Sequence, residues 1–199
     1  MDMLPIRRAI LSVTDKTDLT GFAAFLAGSG VELVSTGGTC KMLQAAGLKV
    51  TQVSEVTGFP EIMGGRVKTL HPAIHGGILA DKDNSEHLQT LGEHGIKTFD
   101  LVCVNLYNFA EAAAKQLDLR SIIEEIDIGG PCMLRASAKN YHSVMVVPTP
   151  SLYPRIREVL EENDMRAPLC LRLELAAAAF AATSAYDGMI AVYLSGNSR

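Results

Sequence analysis

The sequence lacks the features that mark several large classes of protein. Its four cysteines lie far apart and form no CxxC pair, so neither a zinc ribbon nor a disulfide scaffold is indicated. No run of like charges accompanies the net charge of -4, which argues against a nucleic acid or a membrane surface as partner. The apolar run behind Arg7 and Arg8 is too short for a secretory signal. We expect a cytoplasmic protein in which any bound anion is held by a few nearby groups and not by a broad basic surface.

Two nucleotide-binding motifs are absent as well. The sequence contains no GxGxxG and no GxxxxGK[ST] element, which argues against dinucleotide-dependent redox chemistry and against ATP-driven chemistry. The alanine-rich stretch 175–186 is bounded by Arg172, Glu174 and Asp187, and it is shorter than the ~20 residues of a membrane span. It predicts a buried helix.

Apolar runs rich in Val, Ile and Leu alternate with helical patterns along the chain. This alternation is typical of βαβ units and predicts an α/β fold with a mostly parallel sheet. The predicted strands are 9–13, 31–34, 50–53, 99–104 and 143–147. The predicted helices are 19–26, 41–46, 85–91, 121–126, 131–139 and 152–162, with two more from residue 169 onward. A chain of 199 residues fits a single domain, 1–199.

One segment, 54–79, has no clean period and is longer than an ordinary connection in a compact domain. Its apolar content favours an ordered, functional loop over a disordered one.

The first candidate site is the turn Ser35-Thr36-Gly37-Gly38-Thr39, between a predicted strand and a predicted helix. Paired glycines allow positive φ, so consecutive backbone N–H groups can point into one concavity at the helix N-terminus. This arrangement is typical of a phosphate cradle. The alternative is a plain strand-to-helix turn with Thr39 as the N-cap.

A second polar segment, which contains Ser12, Thr14, Asp15 and Lys16, also follows a predicted strand. Because ligands of open α/β sheets bind beyond the carboxyl ends of the strands, both segments are expected at one edge. Two such cradles indicate a phosphomonoester site. The alternative is a helix cap at Thr14 or Asp15, with Lys16 in solvent.

Two cations alternate in the segment GGRVKTLHP. In extended backbone Arg66 and Lys68 would face one way, where they could grip an anion or stabilise an oxyanion. The alternative is an ordinary basic loop. His71 and His75 have the spacing of two metal ligands on a helix, but Pro72 argues against an uninterrupted helix and no third ligand is near. We therefore predict no metal site.

Three more groups follow predicted strands or begin predicted helices. Asn105 and Tyr107 follow an apolar strand and could read a polar heterocycle, or could be a turn residue and a half-buried wall. Asp127 precedes a glycine pair and a helix with proline in its first turn. Lys139 ends that helix, where the dipole tolerates a cation. The alternative makes Asp127 a cap and Arg135 and Lys139 a solvated face.

Taken together, these segments resemble one family, the IMP cyclohydrolase domain of the bifunctional purine biosynthesis enzyme. The resemblance runs from about residue 6 to residue 194, through SVTDKT, STGGT, TGFPEIMGGRVKTLHPAIHGGILA, NLYNF, IDIGGPCMLRASAKN and FAATSAYD. It implies a methylglyoxal-synthase-like three-layer α/β sandwich. Asn108, Cys132, Ser137 and Tyr141 replace the more usual Pro, Thr, Ala and His, and none of them falls on an implied catalytic side chain.

Position by position, the resemblance implies a catalytic group and a substrate site. The catalytic group is Lys68, Tyr107, Asp127 and Lys139, with Lys139 as proton donor and acceptor. We expect Arg66, Lys68 and Lys139 to crowd together. The implied substrate-binding residues are Ser12, Thr14, Asp15, Lys16, Ser35, Thr36, Gly37, Gly38, Thr39, Arg66, Val67, Thr69, Val104, Asn105, Ile128 and Gly129.

The implied reaction is the dehydrative ring closure of 5-formamidoimidazole-4-carboxamide ribonucleotide to IMP, the last step of de novo purine biosynthesis. The expected partner is therefore a small purine nucleotide, and the chemistry requires no metal and no cofactor. The family usually forms homodimers and carries a formyltransferase domain, which this sequence lacks. Two alternatives stay open on the same fold: a methylglyoxal-synthase-type lyase and a regulatory domain that senses nucleotide phosphate.

Overall fold

A five-stranded parallel sheet forms the centre of the fold. The computed structural model describes residues 1–114 and 118–197. Its strands are β1 (Met3–Pro5), β2 (Arg8–Ser12), β3 (Glu32–Ser35), β4 (Val50–Gln52), β5 (Leu101–Val104), β6 (Met145–Val147) and β7 (Arg166–Pro168). The central sheet has the order β4-β3-β2-β5-β6, with every neighbouring pair parallel. β1 and β7 form a separate antiparallel pair.

Helices connect these strands and cover both faces of the sheet. They are α1 (Leu19–Gly28), α2 (Gly37–Ala45), α3 (Val53–Thr57), α4 (Pro72–Leu79), α5 (Ser85–Glu93), α6 (Phe109–Ala113), α7 (Leu119–Glu124), α8 (Gly129–Lys139), α9 (Tyr153–Glu162) and α10 (Leu169–Gly196). One group joins α1 to β3, α2 and α9, and another joins α8 to β5, β6, α4 and α10. Ala9, Ile10 and Leu11 in the middle strand are all 0% exposed, as a sheet covered on both faces requires. The predicted α/β fold is confirmed.

The pairing register brings the carboxyl ends of three strands together. Leu11 of β2 lies opposite Ser35 of β3, and Ser12 lies opposite Val104 of β5. The polar segments that follow these strands therefore begin at one edge of the sheet, which is where an open α/β sheet binds its ligand.

The segment 54–79 contains two helices that its lack of a clean period did not predict. α3 begins with a capping box, in which Gln52 and Glu55 exchange hydrogen bonds with each other's backbone. α4 begins at Pro72, and His71 at its N-cap accepts a hydrogen bond from the Ala73 N–H at Nδ1. Proline is therefore the first residue of this helix. Its missing N–H costs no hydrogen bond there, because N–H groups in the first turn have no acceptor within the helix. Our expectation of one long loop was wrong.

A single helix, α10, replaces the two helices predicted from residue 169 onward. It runs for 28 residues, with Gly188 in its interior. The prediction was wrong because no proline interrupts the alanine-rich segment, and one interior glycine disfavours a helix by only ~1 kcal/mol.

By length and composition α10 could cross a membrane, although the sequence predicted a helix too short for that. The core helices of soluble proteins can have the same length and composition. Here α10 packs against α8, β6 and α6. Its Arg172 is fully buried and donates to the carbonyl oxygens of Met1 (2.6 Å) and Tyr141 (3.0 Å). The helix is an integral part of the folded domain.

Candidate active site

A cleft of about 840 Å³ opens at the carboxyl ends of β2, β3 and β5, between the starts of α2 and α8. Its volume suits a small organic ligand. Most of the predicted site residues line it, namely Ser12, Thr14, Lys16, Thr36, Gly37, Gly38, Thr39, Arg66, Lys68, Thr69, Asn105, Tyr107, Asp127, Ile128 and Gly129. The others, Asp15, Ser35, Val67, Val104 and Lys139, do not.

The glycine turn forms the beginning of α2. Thr36 is the N-cap, but its hydroxyl lies 2.7 Å from the Ser12 hydroxyl and makes no hydrogen bond to the helix. The first N–H groups of a helix have no partner within it, so this end of α2 offers donors to an anion. Gly37 has a φ of 42°, and a Cβ there would lie 3.3 Å from Nζ of Lys68. Position 37 therefore favours glycine for both conformation and space.

Two hydroxyls of the same turn, those of Ser35 and Thr39, hydrogen-bond to backbone, although Thr39 also lines the cleft. Ser35 is fully buried and donates to the carbonyl oxygen of Leu11 at 2.7 Å. Thr39 donates to the carbonyl oxygen of Val13 and accepts from its N–H, at 3.0 and 3.2 Å. Both tie the end of β3 to the end of β2. The alternative of Thr39 as N-cap is wrong, because α2 begins two residues earlier.

Asn105 holds the segment after β2 in place. Its Oδ1 accepts from the N–H groups of Thr14 (2.7 Å) and Asp15 (3.0 Å), and its Nδ2 donates to the Asp15 carbonyl oxygen (2.9 Å). The amide is thus already engaged by backbone, which accounts for its burial. The Asp15 carboxylate turns away from the cleft to Thr17, and hydrogen bonds from the Thr17 hydroxyl and N–H lower its pKa.

Arg66 and Lys68 project from a short arm, residues 61–68, in which Ile62 and Val67 form an antiparallel bridge. Each cation has its own carboxylate. Nε of Arg66 lies 3.1 Å from Oε2 of Glu124, and its NH2 group contacts Oε1 of the same carboxylate. Nζ of Lys68 lies 3.2 Å from Oε2 of Glu61. The expected crowding of three cations does not occur, because Arg66 and Lys68 each pair with a carboxylate and Lys139 lies at the far end of α8.

Asp127 is a half-buried carboxylate at the start of α8, and it faces the cleft. Burial raises its pKa, against the opposing effects of N–H groups of Gly130 and Gly129 and of the nearby Lys68 ammonium. Its Oδ1 accepts from the Gly130 N–H at 2.9 Å, so Asp127 also caps the helix. A carboxylate with a raised pKa suits acid–base chemistry near neutral pH.

The glycine pair after Asp127 is required by space. A Cβ at Gly130 would lie 2.3 Å from Oδ2 of Asp127, and a Cβ at Gly129 would lie 2.7 Å from Oγ1 of Thr69. Side chains at these positions would displace the two groups that they approach. The pair therefore lets the carboxylate and the hydroxyl stand next to the start of α8.

Lys139 does not reach this cleft within its own chain. It is exposed and ends α8, whereas Asp127 precedes the first turn of the same helix. Eleven residues of α-helix span roughly 16 Å, so the two groups lie at opposite ends. Val67 and Val104 also lie off the cleft wall. Val67 is engaged in the bridge of the arm, and Val104 is a fully buried strand residue.

Several groups around the cleft were not predicted from the sequence. Glu61 and Glu124 pair with the two cations, and Tyr186 of α10 places its Oη 2.7 Å from the Asp127 N–H. Tyr186 lies in the last motif of the resemblance, FAATSAYD, which was the only available signal for it. Glu61 lies in the motif TGFPEIMGGRVKTLHPAIHGGILA, close to Lys68 in the chain, but no local pattern marks Glu124, which is 58 residues from Arg66.

A group of potential metal ligands lies elsewhere in the described part of the chain. Ligand atoms of Asp81, Asp83 and His142 lie within 4.8 Å of one another. The Met1 ammonium and the His142 ring already contact the Asp83 carboxylate, at 2.9 and 3.3 Å. His71 and His75 do not belong to such a group among residues 1–114 and 118–197.

Comparison with known proteins identifies the family. The model of the MGS-like domain matches residues 18–132, and the model described as AICARFT/IMPCHase bienzyme matches residues 137–199. Proteins named bifunctional purine biosynthesis protein PurH are 53% identical in Agrobacterium fabrum and 52% identical in Chelativorans sp.. Each match covers 95% of this chain and 35% of the relative. The chain therefore spans about a third of the length of these relatives.

A solved structure shares the fold over nearly the whole chain. The crystal structure of ForH superposes with a TM-score of 0.88 at 36% identity, and the match covers 96% of this chain and 98% of that one. The chain belongs to the family of MGS-like domains, and its resemblance to the IMP cyclohydrolase domain of the bifunctional purine biosynthesis enzyme is confirmed.

Proposed function

We propose that this cleft closes the second ring of a purine, converting 5-formamidoimidazole-4-carboxamide ribonucleotide to IMP. One observation carries the proposal. Asp127, a carboxylate whose pKa is raised by burial, faces the same cleft as Lys68 and the N-terminus of α2. A base, a cation and an anion-binding helix end are what an intramolecular condensation of a phosphorylated substrate needs.

The phosphate and ribose would bind at the edge formed by the ends of β2 and β3. The Ser12, Thr14 and Thr36 hydroxyls, the Lys16 ammonium and the first N–H groups of α2 supply the donors there. The Arg66 guanidinium, which lines the same cleft, is the proposed further donor to the phosphate. Holding the phosphate far from the reacting atoms fixes the imidazole in the rest of the cleft. Such positioning can contribute several kcal/mol to the ring closure.

Ring closure begins when the carboxamide nitrogen attacks the formyl carbon. A C–N bond forms, the formyl oxygen becomes an oxyanion, and the nitrogen must lose a proton. Asp127 is the proposed acceptor of that proton. Lys68 is the proposed partner of the oxyanion, with the N–H groups at the start of α8, because donors aimed at developing charge typically contribute ~3 kcal/mol each.

The second step expels water from the tetrahedral carbinolamine. The oxyanion first becomes a hydroxyl by taking up the proton that Asp127 accepted. As the formamido nitrogen loses its own proton and the C=N bond of the hypoxanthine ring forms, the C–O bond breaks and the leaving hydroxyl accepts a second proton. Tyr107, 49% exposed on the cleft wall, is the proposed donor of this proton. The position of Lys139 at the far end of α8 argues against this lysine as the donor within one chain.

The proposal has further parts, which concern location, assembly and cofactors. We infer a cytoplasmic enzyme that binds a purine nucleotide and acts as a homodimer without metal or cofactor. The PurH relatives are bifunctional by name, so a natural longer chain would also carry the formyltransferase domain. The apolar side chains that α10 leaves exposed, among them Phe180 and Val192, are the proposed surface for the second copy.

The test is to incubate the protein with the formamido nucleotide and to follow IMP by its ultraviolet absorbance. We expect IMP to appear at a rate proportional to enzyme concentration. Inorganic phosphate released from a triose phosphate would instead indicate the lyase. Binding of the nucleotide with no turnover would indicate the regulatory domain.

A further inference from the structure

Glu124 pairs with Arg66 on the wall of the cleft. The arm supplies Arg66 and α7 supplies Glu124, and both residues belong to the cleft lining. Nε and NH2 of the guanidinium meet both oxygens of one carboxylate. This two-pronged geometry is the one with which arginine also binds phosphate.

The exposure of this pair makes it easy to exchange. The side chains of Arg66 and Glu124 are 61% and 47% exposed, and ion pairs in solvent contribute little to stability. A phosphate dianion carries more charge than a carboxylate and matches the same fork. The guanidinium would therefore pass readily from Glu124 to a phosphate that enters the cleft.

Lys68 is paired in a different way. Its partner Glu61 lies on the same arm, so that pair can move as a unit. The Arg66–Glu124 pair instead joins the arm to a separate helix, 58 residues away along the chain. Breaking it would both free a cation and release the arm from α7.

We propose that Glu124 is a specificity-determining residue, a latch on Arg66 that the phosphate group of the nucleotide must displace. This inference rests on the proposed function for the identity of the nucleotide. The latch keeps Arg66 neutralised until an anion of sufficient charge arrives, and so it weakens the binding of ordinary anions.

The chain offers a matched control. Glu125 follows Glu124, is also exposed, and also lines the cleft. Its carboxylate makes no hydrogen bond or ion pair with any described residue. Glu124→Gln and Glu125→Gln remove the same charge from neighbouring positions, but only the first breaks the pair.

The experiment measures how inorganic phosphate raises the thermal unfolding temperature of the parent and of both variants, since a ligand that binds the folded state stabilises it. We expect Glu124→Gln to need about two- to fivefold less phosphate than the parent to produce the same rise in unfolding temperature. Glu125→Gln should match the parent. In an Arg66→Ala background the effect of Glu124→Gln should disappear.

Three results would overturn the latch: no response of the parent to phosphate, equal effects of the two glutamine variants, or an effect of Glu124→Gln that persists without Arg66. Repeating the titration with IMP separates the two proposals. A parent that responds to phosphate but not to IMP contradicts the proposed function and leaves the latch standing. A parent that binds IMP, with no tightening in Glu124→Gln, contradicts the latch alone.

Discussion

At the scale of single residues, the environment of Asp127 predicts the pH dependence of the reaction. Burial raises its pKa above the ordinary value of 3.8. The proposed base must be ionised, so the rate should fall as pH falls through this raised pKa. We expect the acidic limb of the kcat/KM profile above pH 3.8, and a rate profile measured from pH 3 to 9 checks it.

The same pKa predicts an opposite trend in stability. A carboxyl group with a raised pKa favours the neutral form in the folded state. Its contribution to the free energy of unfolding is complete below the unfolded pKa and is lost as pH rises through the folded pKa. Asp127→Asn should remove this component from urea unfolding measured across the same range. An acidic limb at or below pH 3.8 would contradict the account of Asp127.

Gly130 provides a second prediction for a single residue. A Cβ there would lie 2.3 Å from Oδ2 of Asp127 and 2.9 Å from Cδ2 of Leu106. Gly130→Ala should therefore displace the carboxylate and lower kcat at least ~10-fold, with ~1–3 kcal/mol of destabilisation. Steady-state rates and urea unfolding measure both effects.

Gly188→Ala is the control for that change. Gly188 lies within α10, and nothing lies within 4 Å of the position of its Cβ. The substitution should leave kcat unchanged and stabilise the fold by ~0.5–1 kcal/mol. If Gly130→Ala behaved in the same way, the close approach of Gly130 to Asp127 would have no role in the rate.

At the scale of elements, Asp100 joins the starts of β2 and β5 at the edge opposite the cleft. Its Oδ2 accepts from the N–H groups of Arg7 and Arg8, each at 2.8 Å. Lys82, between α4 and α5, contacts the other oxygen, and both side chains are nearly buried, at 10% and 11% exposure. Burial lowers the pKa of Lys82, and the Asp100 carboxylate opposes this effect.

Lys82→Met should destabilise the fold by ~3 kcal/mol, because it leaves the Asp100 carboxylate buried without its cation. Urea unfolding monitored by circular dichroism measures the change. Glu174→Gln is the control, since its pair with Arg155 is exposed and should contribute no more than ~1 kcal/mol. A loss below ~1 kcal/mol for Lys82→Met would mean that Asp100 needs only its backbone donors.

The elements also decide how much could be predicted from the sequence. The strands that end at Ser12, Ser35 and Val104 were recognisable from their apolar runs, and parallel pairing then requires their polar successors to share an edge. The short helices α3 and α4 were not predicted, because each depends on its N-terminal cap more than on a periodic apolar face. Capping by Gln52 and His71 was visible in the sequence only in retrospect.

The remaining features that the sequence did not predict depend on contacts between distant parts of the chain. The partners of Arg66 and the burial of Asp127 depend on how distant segments pack, and no local pattern carries that information. Lys139 is different. The length of α8 already separates it from Asp127, and the resemblance alone had placed both residues in one site.

At the scale of the whole molecule, one cleft of this MGS-like domain contains the N-terminus of α2, which can bind an anion, together with Asp127 and Lys68. The uncharged side chains of Ser35, Thr39 and Asn105 fix the backbone segments around that cleft by hydrogen bonds. In the proposed function, the N-terminus of α2 positions the substrate, and the Asp127 carboxylate and the Lys68 ammonium act on it.

The most direct test of this account compares IMP formation by the parent and by Asp127→Asn at saturating formamido nucleotide, with IMP affinity measured for both. The account predicts turnover by the parent, a kcat at least ~100-fold lower in the variant, and IMP affinities within about threefold of each other. A variant that kept kcat within about threefold of the parent would contradict the role of Asp127, because such a change corresponds to less than ~1 kcal/mol.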